Sequence, residues 1–143
     1  MSTIYRERED GIIEASGKAK KELGDIGESI ALCRYVDAGY KLICRNWRLG
    51  KTAEIDLIVM DPESDTLCFC EVKTRTLPPD PSEGCIAVPS DSVRSRKKMK
   101  IKYASRVFIE RNPEFEEKNV RFDVAEVYNR GGSYEVSILK DAF

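Results

Sequence analysis

Apolar positions follow no period over residues 1–17, a stretch of mixed charge in which a loose tail is expected. Over Lys18–Asp37, Leu23, Ile26, Ile30, Ala31 and Tyr35 recur at helical spacing, and Ala38-Gly39 supplies the stop favoured past a last turn. Three strands are predicted next. Tyr40–Trp47 alternates loosely, Leu49-Gly50-Lys51 turns the chain, and Glu54–Met60 carries the apolar run Ile55, Leu57, Ile58, Val59, Met60. Asp61-Pro62-Glu63-Ser64-Asp65 has turn chemistry, and Thr66–Thr74 is the third strand. Residues 77–90 hold four of the six prolines and Gly84, which predicts an irregular loop able to gate or recognise. A helix is expected from Pro89-Ser90 to about Arg111, with Val93, Ile101, Ala104, Val107 and Phe108 facing inward. Two strands follow, Val120–Tyr128 and Tyr134–Leu139, joined by the turn Asn129-Arg130-Gly131-Gly132. The order α-βββ-α-ββ predicts a mixed α/β sheet flanked by helices, in one domain over residues 18–143.

Composition narrows the function classes. At 143 residues with 41% apolar content, a single domain can bury a real core, while 34% charged residues exceed the ordinary ~25%. No apolar run reaches the ~18–20 residues that span a bilayer, so no membrane partner is expected. The charged start MSTIYRERED lacks the apolar segment of a signal peptide, which predicts a cytoplasmic protein. Histidine is absent, which excludes Ser-His-Asp and Cys-His catalysis, His-ligated zinc and His general bases. Chemistry must then rest on carboxylates, lysines, hydroxyls or a bound metal. The five cysteines (33, 44, 68, 70 and 85) are odd in number and irregularly spaced, as reduced thiols would be. Cys68-x-Cys70 has a metal-ligand alternative, but it lies in the apolar run LCFCEV with no second ligand pair, which favours core.

Net charge is −1, yet it is unevenly spread. Residues 91–111 carry eight Lys/Arg against Asp91 and Glu110, leaving the other 122 residues at −7. Such a patch steers anions where net charge does not. Seven of the basic residues fall within 94–106 without an acid, and their mutual repulsion would be relieved by a phosphate partner. The simpler alternative is a solvated face.

The third strand is where chemistry concentrates. Period-two alternation puts Phe69, Glu71 and Lys73 on one face and Cys68, Cys70 and Val72 on the other. Glu54 and Asp56 share a face of the preceding strand, and the tight turn between the strands brings Asp56 toward Glu71. Two carboxylates this close raise each other's pKa unless a cation lies between them. A hard divalent ion, Mg²⁺ or Mn²⁺, suits such oxygen donors, and an adjacent lysine could orient water or stabilise charge on a phosphate. Asp56, Glu71 and Lys73 thus form a candidate phosphodiester-hydrolysing set. An exposed Glu-x-Lys pair worth under ~1 kcal/mol is the alternative that spacing alone leaves open.

Six segments occur in order: Gly24-Asp25-Ile26-Gly27-Glu28, Arg45-Asn46-Trp47-Arg48, Glu54-Ile55-Asp56-Leu57-Ile58, Phe69-Cys70-Glu71-Val72-Lys73-Thr74-Arg75, Arg121-Phe122-Asp123-Val124 and Lys140-Asp141-Ala142-Phe143. Together they resemble the bacterial YraN family, of unassigned role and restriction-endonuclease-like fold, within the wider PD-(D/E)xK nuclease superfamily. The resemblance implies a five-stranded mixed sheet flanked by helices and a Mg²⁺- or Mn²⁺-dependent endonuclease acting on DNA, branched or damaged structures included. It implies Asp56, Glu71 and Glu28 as metal ligands and Lys73 as the catalytic lysine, with Glu54 and Arg75 in support. Glu28 has an exposed helix carboxylate as its alternative, Arg45, Asn46 and Arg48 a solvated strand end, and Trp47 a place in the core rather than against a base. Arg48, Arg75, Arg94, Arg96, Lys97, Lys98 and Lys100 are the residues expected on nucleic acid. Ala53 replaces a glycine usual in the family, and Ile55 stands where the superfamily's proline would be. Resolvase-like members of this fold imply a homodimer through an exposed sheet edge. A non-catalytic nucleic-acid-binding protein that retains the fold is the alternative function.

Overall fold

The computed structural model describes residues 17–78 and 95–143, and side chains from residue 23 onward within the first helix. The predicted tail, most of the proline-rich loop, the helix opening at Pro89-Ser90, Cys85, Val93 and Arg94 lie outside the described residues. The elements are α1 (Gly17–Asp37), β1 (Lys41–Leu49), β2 (Ala53–Asp61), β3 (Thr66–Leu77), α2 (Ser95–Arg111), a 3₁₀ turn (Pro113–Phe115), β4 (Asn119–Arg130) and β5 (Ser133–Leu139). The α-βββ-α-ββ order read from the sequence is the order found, and the sheet runs β1-β2-β3-β4-β5. Only β3 and β4 pair in parallel, because α2 lies in the crossover between them; the other neighbours are antiparallel.

Strand β3 is interior on both faces, which explains why its apolar run does not alternate. On one face Ile30, Ala31 and Tyr35 of α1 pack on Leu57, Val59, Cys68, Cys70, Ala125 and Val127. On the other, Ile101, Ala104 and Phe108 of α2 pack on Ile58, Met60, Leu67 and Phe69. Cys68 and Cys70 are buried free thiols; burial pushes the Cys68 thiol up to about 12 and raises that of Cys70 too. They are core, as expected. Trp47 is core as well, edge-on to Phe108 at 5.4 Å. In α2 the expected inward stripe needs one correction: Val107 is only half-buried, and Ser105 takes the buried place. That polar burial is tolerated because the Ser105 hydroxyl donates to the Lys102 carbonyl at 2.7 Å. β3 and β4 run past their predicted ends, since their pairing continues from Thr66↔Asn119 to Leu77↔Arg130 through residues with no apolar pattern.

A buried polar network ties the far end of the chain to the α1 face. Asp123, fully buried on β4, accepts from the Tyr35 hydroxyl at 2.7 Å, from Arg121 at 2.8 and 2.9 Å, and from the Asp141 N–H at 3.1 Å. Arg121 also donates to the Tyr40 hydroxyl at 2.9 Å. The Ala142 N–H bonds the Phe122 carbonyl at 2.8 Å, and the Phe143 ring lies 5.3 Å from that of Phe122. Among the described residues, no helix is long and apolar enough to cross a membrane.

Candidate active site

The site forms where the sheet forks. β2 and β3 pair from Asp61↔Thr66 only as far as Leu57↔Cys70; beyond that rung β2 stays with β1 and β3 with β4. Asp56 and Glu71 are the next residue on each side, so their side chains meet at the opening. The Asp56 carboxylate bridges the gap by accepting the Val72 N–H at 2.8 Å on Oδ2. Burial pushes the Asp56 carboxyl up to about 8, with Glu71 and then Glu28 adding to the rise and the Val72 N–H opposing it.

Helix α1 delivers Glu28 to the same place. This requires glycine at position 27: a Cβ there would lie 1.9 Å from Thr74 Oγ1 and 3.0 Å from its Cβ. The close approach of helix to strand leaves the Glu28 side chain 12% exposed, not on the surface as its alternative had it. Burial raises its pKa, opposed by a hydrogen bond from Asn46 and by Arg45, whose Nη2 stands 3.6 Å away. Arg45 also donates to Ser29 Oγ and the Asp25 carbonyl, each at 3.1 Å. Asn46 sits within β1 at φ 52°, a left-handed conformation that asparagine tolerates better than most residues. Even so, Glu28 Oε1 is buried without a hydrogen-bond partner.

Glu71 has the opposite surroundings. Its side chain is 4% exposed, and Oε1 receives two ammonium groups, Lys73 Nζ at 3.4 Å and Lys97 Nζ in direct hydrogen-bond contact. Burial lowers the Lys73 pKa and the neighbouring Lys97 charge adds to this, against the pull of Glu71. For Lys97, burial works against the charge but Glu71 outweighs it and holds the pKa above the ordinary lysine value.

Above these groups lies a cleft of about 410 Å³ with Asp56 and Glu71 on its floor and Arg96, Lys97, Lys100 and Ile101 of α2 on one wall. Of the sequence-predicted residues, Glu28, Asp56, Glu71 and Lys73 are brought together. Arg96 and Lys100 line the cleft, Arg48 lines an adjoining hollow and stands 3.6 Å from Glu54, and Arg75 and Lys98 line neither. Lys97, expected on nucleic acid, is seated on Glu71. The signal was present, since Lys97, Ile101, Ala104 and Phe108 follow one inward helical stripe. Arg45, half-buried, and the exposed Asn46 serve Glu28. Tyr103, half-exposed, joins Arg96, Met99 and Lys100 around a neighbouring hollow and was not foreseen.

The donor chemistry fits a hard divalent cation. Three carboxylates share the fork, burial and then the Glu71 charge drive Asp56 toward its neutral form, and among the described residues Glu28 Oε1 has no hydrogen-bond donor, only the Arg45 guanidinium 3.6 Å away. As the side chains stand, however, no group of three or more acidic, His or Cys side chains among the described residues converges closely enough to hold a metal ion. The expected set Asp56, Glu71 and Glu28 is therefore adjacent but not closed, with Glu71 drawn onto the lysines.

Comparison with known proteins places these residues inside a family span. A model described as "Uncharacterised protein family UPF0102" matches residues 27–127. The chain is 35% identical over 124 residues to a UPF0102 protein of Alkaliphilus oremlandii, covering 86% of this chain and 98% of that one. It is 37% identical over 126 residues to a UPF0102 protein of Desulforamulus reducens, covering 86% and 96%.

Proposed function

Starting from the fact that the chain belongs to the uncharacterised protein family UPF0102, the YraN family, we propose that it is a metal-dependent nuclease hydrolysing phosphodiester bonds of nucleic acid, with DNA as the first substrate to test. The observation that carries this is the carboxylate fork: Asp56 and Glu71 line a cleft with a cationic wall, and Glu28 and Lys73 stand beside them. A protein that only bound phosphate would gain nothing from gathering three carboxylates there.

Asp56, Glu71 and Glu28 would hold the cation, which when bound supplies neutralising charge and makes water more acidic. Lys73, with its pKa lowered at the fork, is placed to orient the attacking water or to stabilise charge growing on the phosphate. Arg96 and Lys100 would fix the flanking phosphates. The exposed Tyr103 beside them offers a face on which an unpaired base can stack, which favours branched or single-stranded segments over uniform duplex.

One observation favours a second reading, a binding module that retains the fold. Lys73 and Lys97 neutralise Glu71 without any metal, so the carboxylates need not repel a phosphate. The experiment is cleavage of a labelled panel (duplex, single strand, flap, four-way junction, RNA) with Mg²⁺ or Mn²⁺. The nuclease requires metal-dependent cleavage that falls about a thousandfold or more in Asp56→Ala and Lys73→Ala while binding persists, several kcal/mol of transition-state stabilisation. Salt-sensitive binding without cleavage, unchanged in both variants, would instead establish the module.

A further inference from the structure

Charge at the fork is unevenly distributed. One oxygen, Glu71 Oε1, carries two ammonium groups, while among the described residues Asp56 has no ion-pair partner and Glu28 Oε1 has only the Arg45 guanidinium at 3.6 Å, with no hydrogen-bond donor. A single lysine is enough to balance Glu71, and the second repels the first: Lys97 helps to lower the Lys73 pKa. Glu71 is also the carboxylate that Asp56 and Glu28 lack if the three are to share one cation. Lys97 is 44% exposed in the first described turn of α2, on a long flexible side chain, with Arg96 and Lys100 facing the same cleft.

We propose that Lys97 is an internal counter-ion standing in for the divalent cation at Glu71. On metal binding it releases Glu71 and turns into the cleft, where it becomes a phosphate contact beside Arg96 and Lys100. The inference rests on the metal site of the proposed nuclease. Its consequence is that cation and polyanion assist each other: a phosphate that draws Lys97 away frees Glu71 for the metal, and the metal frees Lys97 for the phosphate. Lys97 is thus a positioning residue for the cation.

The test needs no activity. Mn²⁺ is titrated into the full chain, with free Mn²⁺ read by electron paramagnetic resonance, for wild type, Lys97→Met, Arg111→Gln and Asp56→Asn. Arg111→Gln removes one positive charge from the far end of α2. Lys97→Met is expected to bind Mn²⁺ at least about tenfold more tightly than wild type, a difference of roughly 1.4 kcal/mol. Arg111→Gln should stay within about twofold of wild type, and Asp56→Asn should lose binding. In the wild type, the Lys97 side-chain NMR signals should move on adding Mg²⁺, and in Asp56→Asn they should not. Asp56-dependent Mn²⁺ binding that is no tighter in Lys97→Met than in Arg111→Gln would overturn the counter-ion role and leave the metal site standing. Absence of Asp56-dependent binding in every protein would overturn both.

Discussion

Two carboxylates in the middle of this sheet, Asp123 fully buried and Asp56 half-buried, are kept in opposite ways. Asp123 accepts four hydrogen bonds, two of them from the one guanidinium of Arg121, and those contacts tie α1, β4 and the segment after β5 together. Asp56 accepts one backbone N–H and otherwise faces other carboxylates, with its carboxyl pushed up to about 8. Burial of charge is common to both, so burial does not mark the site. What separates them is satisfaction: the closed network holds architecture, and the open one stores a demand for a cation.

The comparison breaks most visibly at Asp123. Asp123→Ala leaves Arg121 without its partner and the Tyr35 hydroxyl without its acceptor, and should cost about 3–5 kcal/mol. Urea unfolding should show the midpoint falling accordingly. Asp56→Asn, by contrast, keeps an oxygen for the Val72 N–H, mimics the protonated side chain that prevails at neutral pH and should not lower the midpoint there. Equal losses in the two variants would abolish the distinction between closed and open networks.

Next in size is the helix contact that carries Glu28 to the fork. Gly27→Ala places a methyl against Thr74 and should cost about 1–3 kcal/mol, as overpacking does. Thr74→Ala removes the hydroxyl that the added methyl would strike and should recover much of that loss in the double variant, giving a clear coupling in a double-mutant cycle. Additive losses would mean that α1 does not pack on β3 through this glycine.

Much of this arrangement was legible because it is local. The turn after Asp61 sets the register Asp61↔Thr66, and counting back along both strands puts Asp56 beside Glu71. The double-sided run ending at Cys70 marked β3 as interior, and the inward period of α2 was visible in Ile101, Ala104 and Phe108. What escaped was non-local or hidden by chemistry type. Arg45 reaches Ser29 across 16 positions and Tyr35 reaches Asp123 across 88, separations on which periodicity is silent. A bulge between Leu42 and Cys44 shifts the register of β1, so its alternation cannot be carried through to Arg45 and Asn46. Lys97 reads by its charge as a phosphate contact, although its position continues the stripe of Ile101, Ala104 and Phe108. The fold follows from apolar periods; the site depends on where polar residues violate them.

The finest probe of the open network is pH. The ordinary aspartate value is 3.8, and in the folded, metal-free protein Asp56 holds its proton to about 8. Because the folded value is the higher one, the stability this proton confers is complete below about pH 4 and drains away as pH rises toward 8. The slope is at most ~1.4 kcal/mol per pH unit. Asp56→Asn cannot ionise and mimics the protonated side chain, so it lacks this slope. Subtracting the wild-type urea midpoint from that of the variant cancels every other titrating group; the difference should be small at pH 5 and favour the variant by pH 8. Mg²⁺ should then stabilise the wild type at pH 8, where the proton is easily given up, more than at pH 5, where the cation must displace it, and should leave Asp56→Asn unmoved at both. Parallel pH curves for the two proteins would show that the Asp56 charge is already compensated, which would make the fork as closed as the Asp123 network.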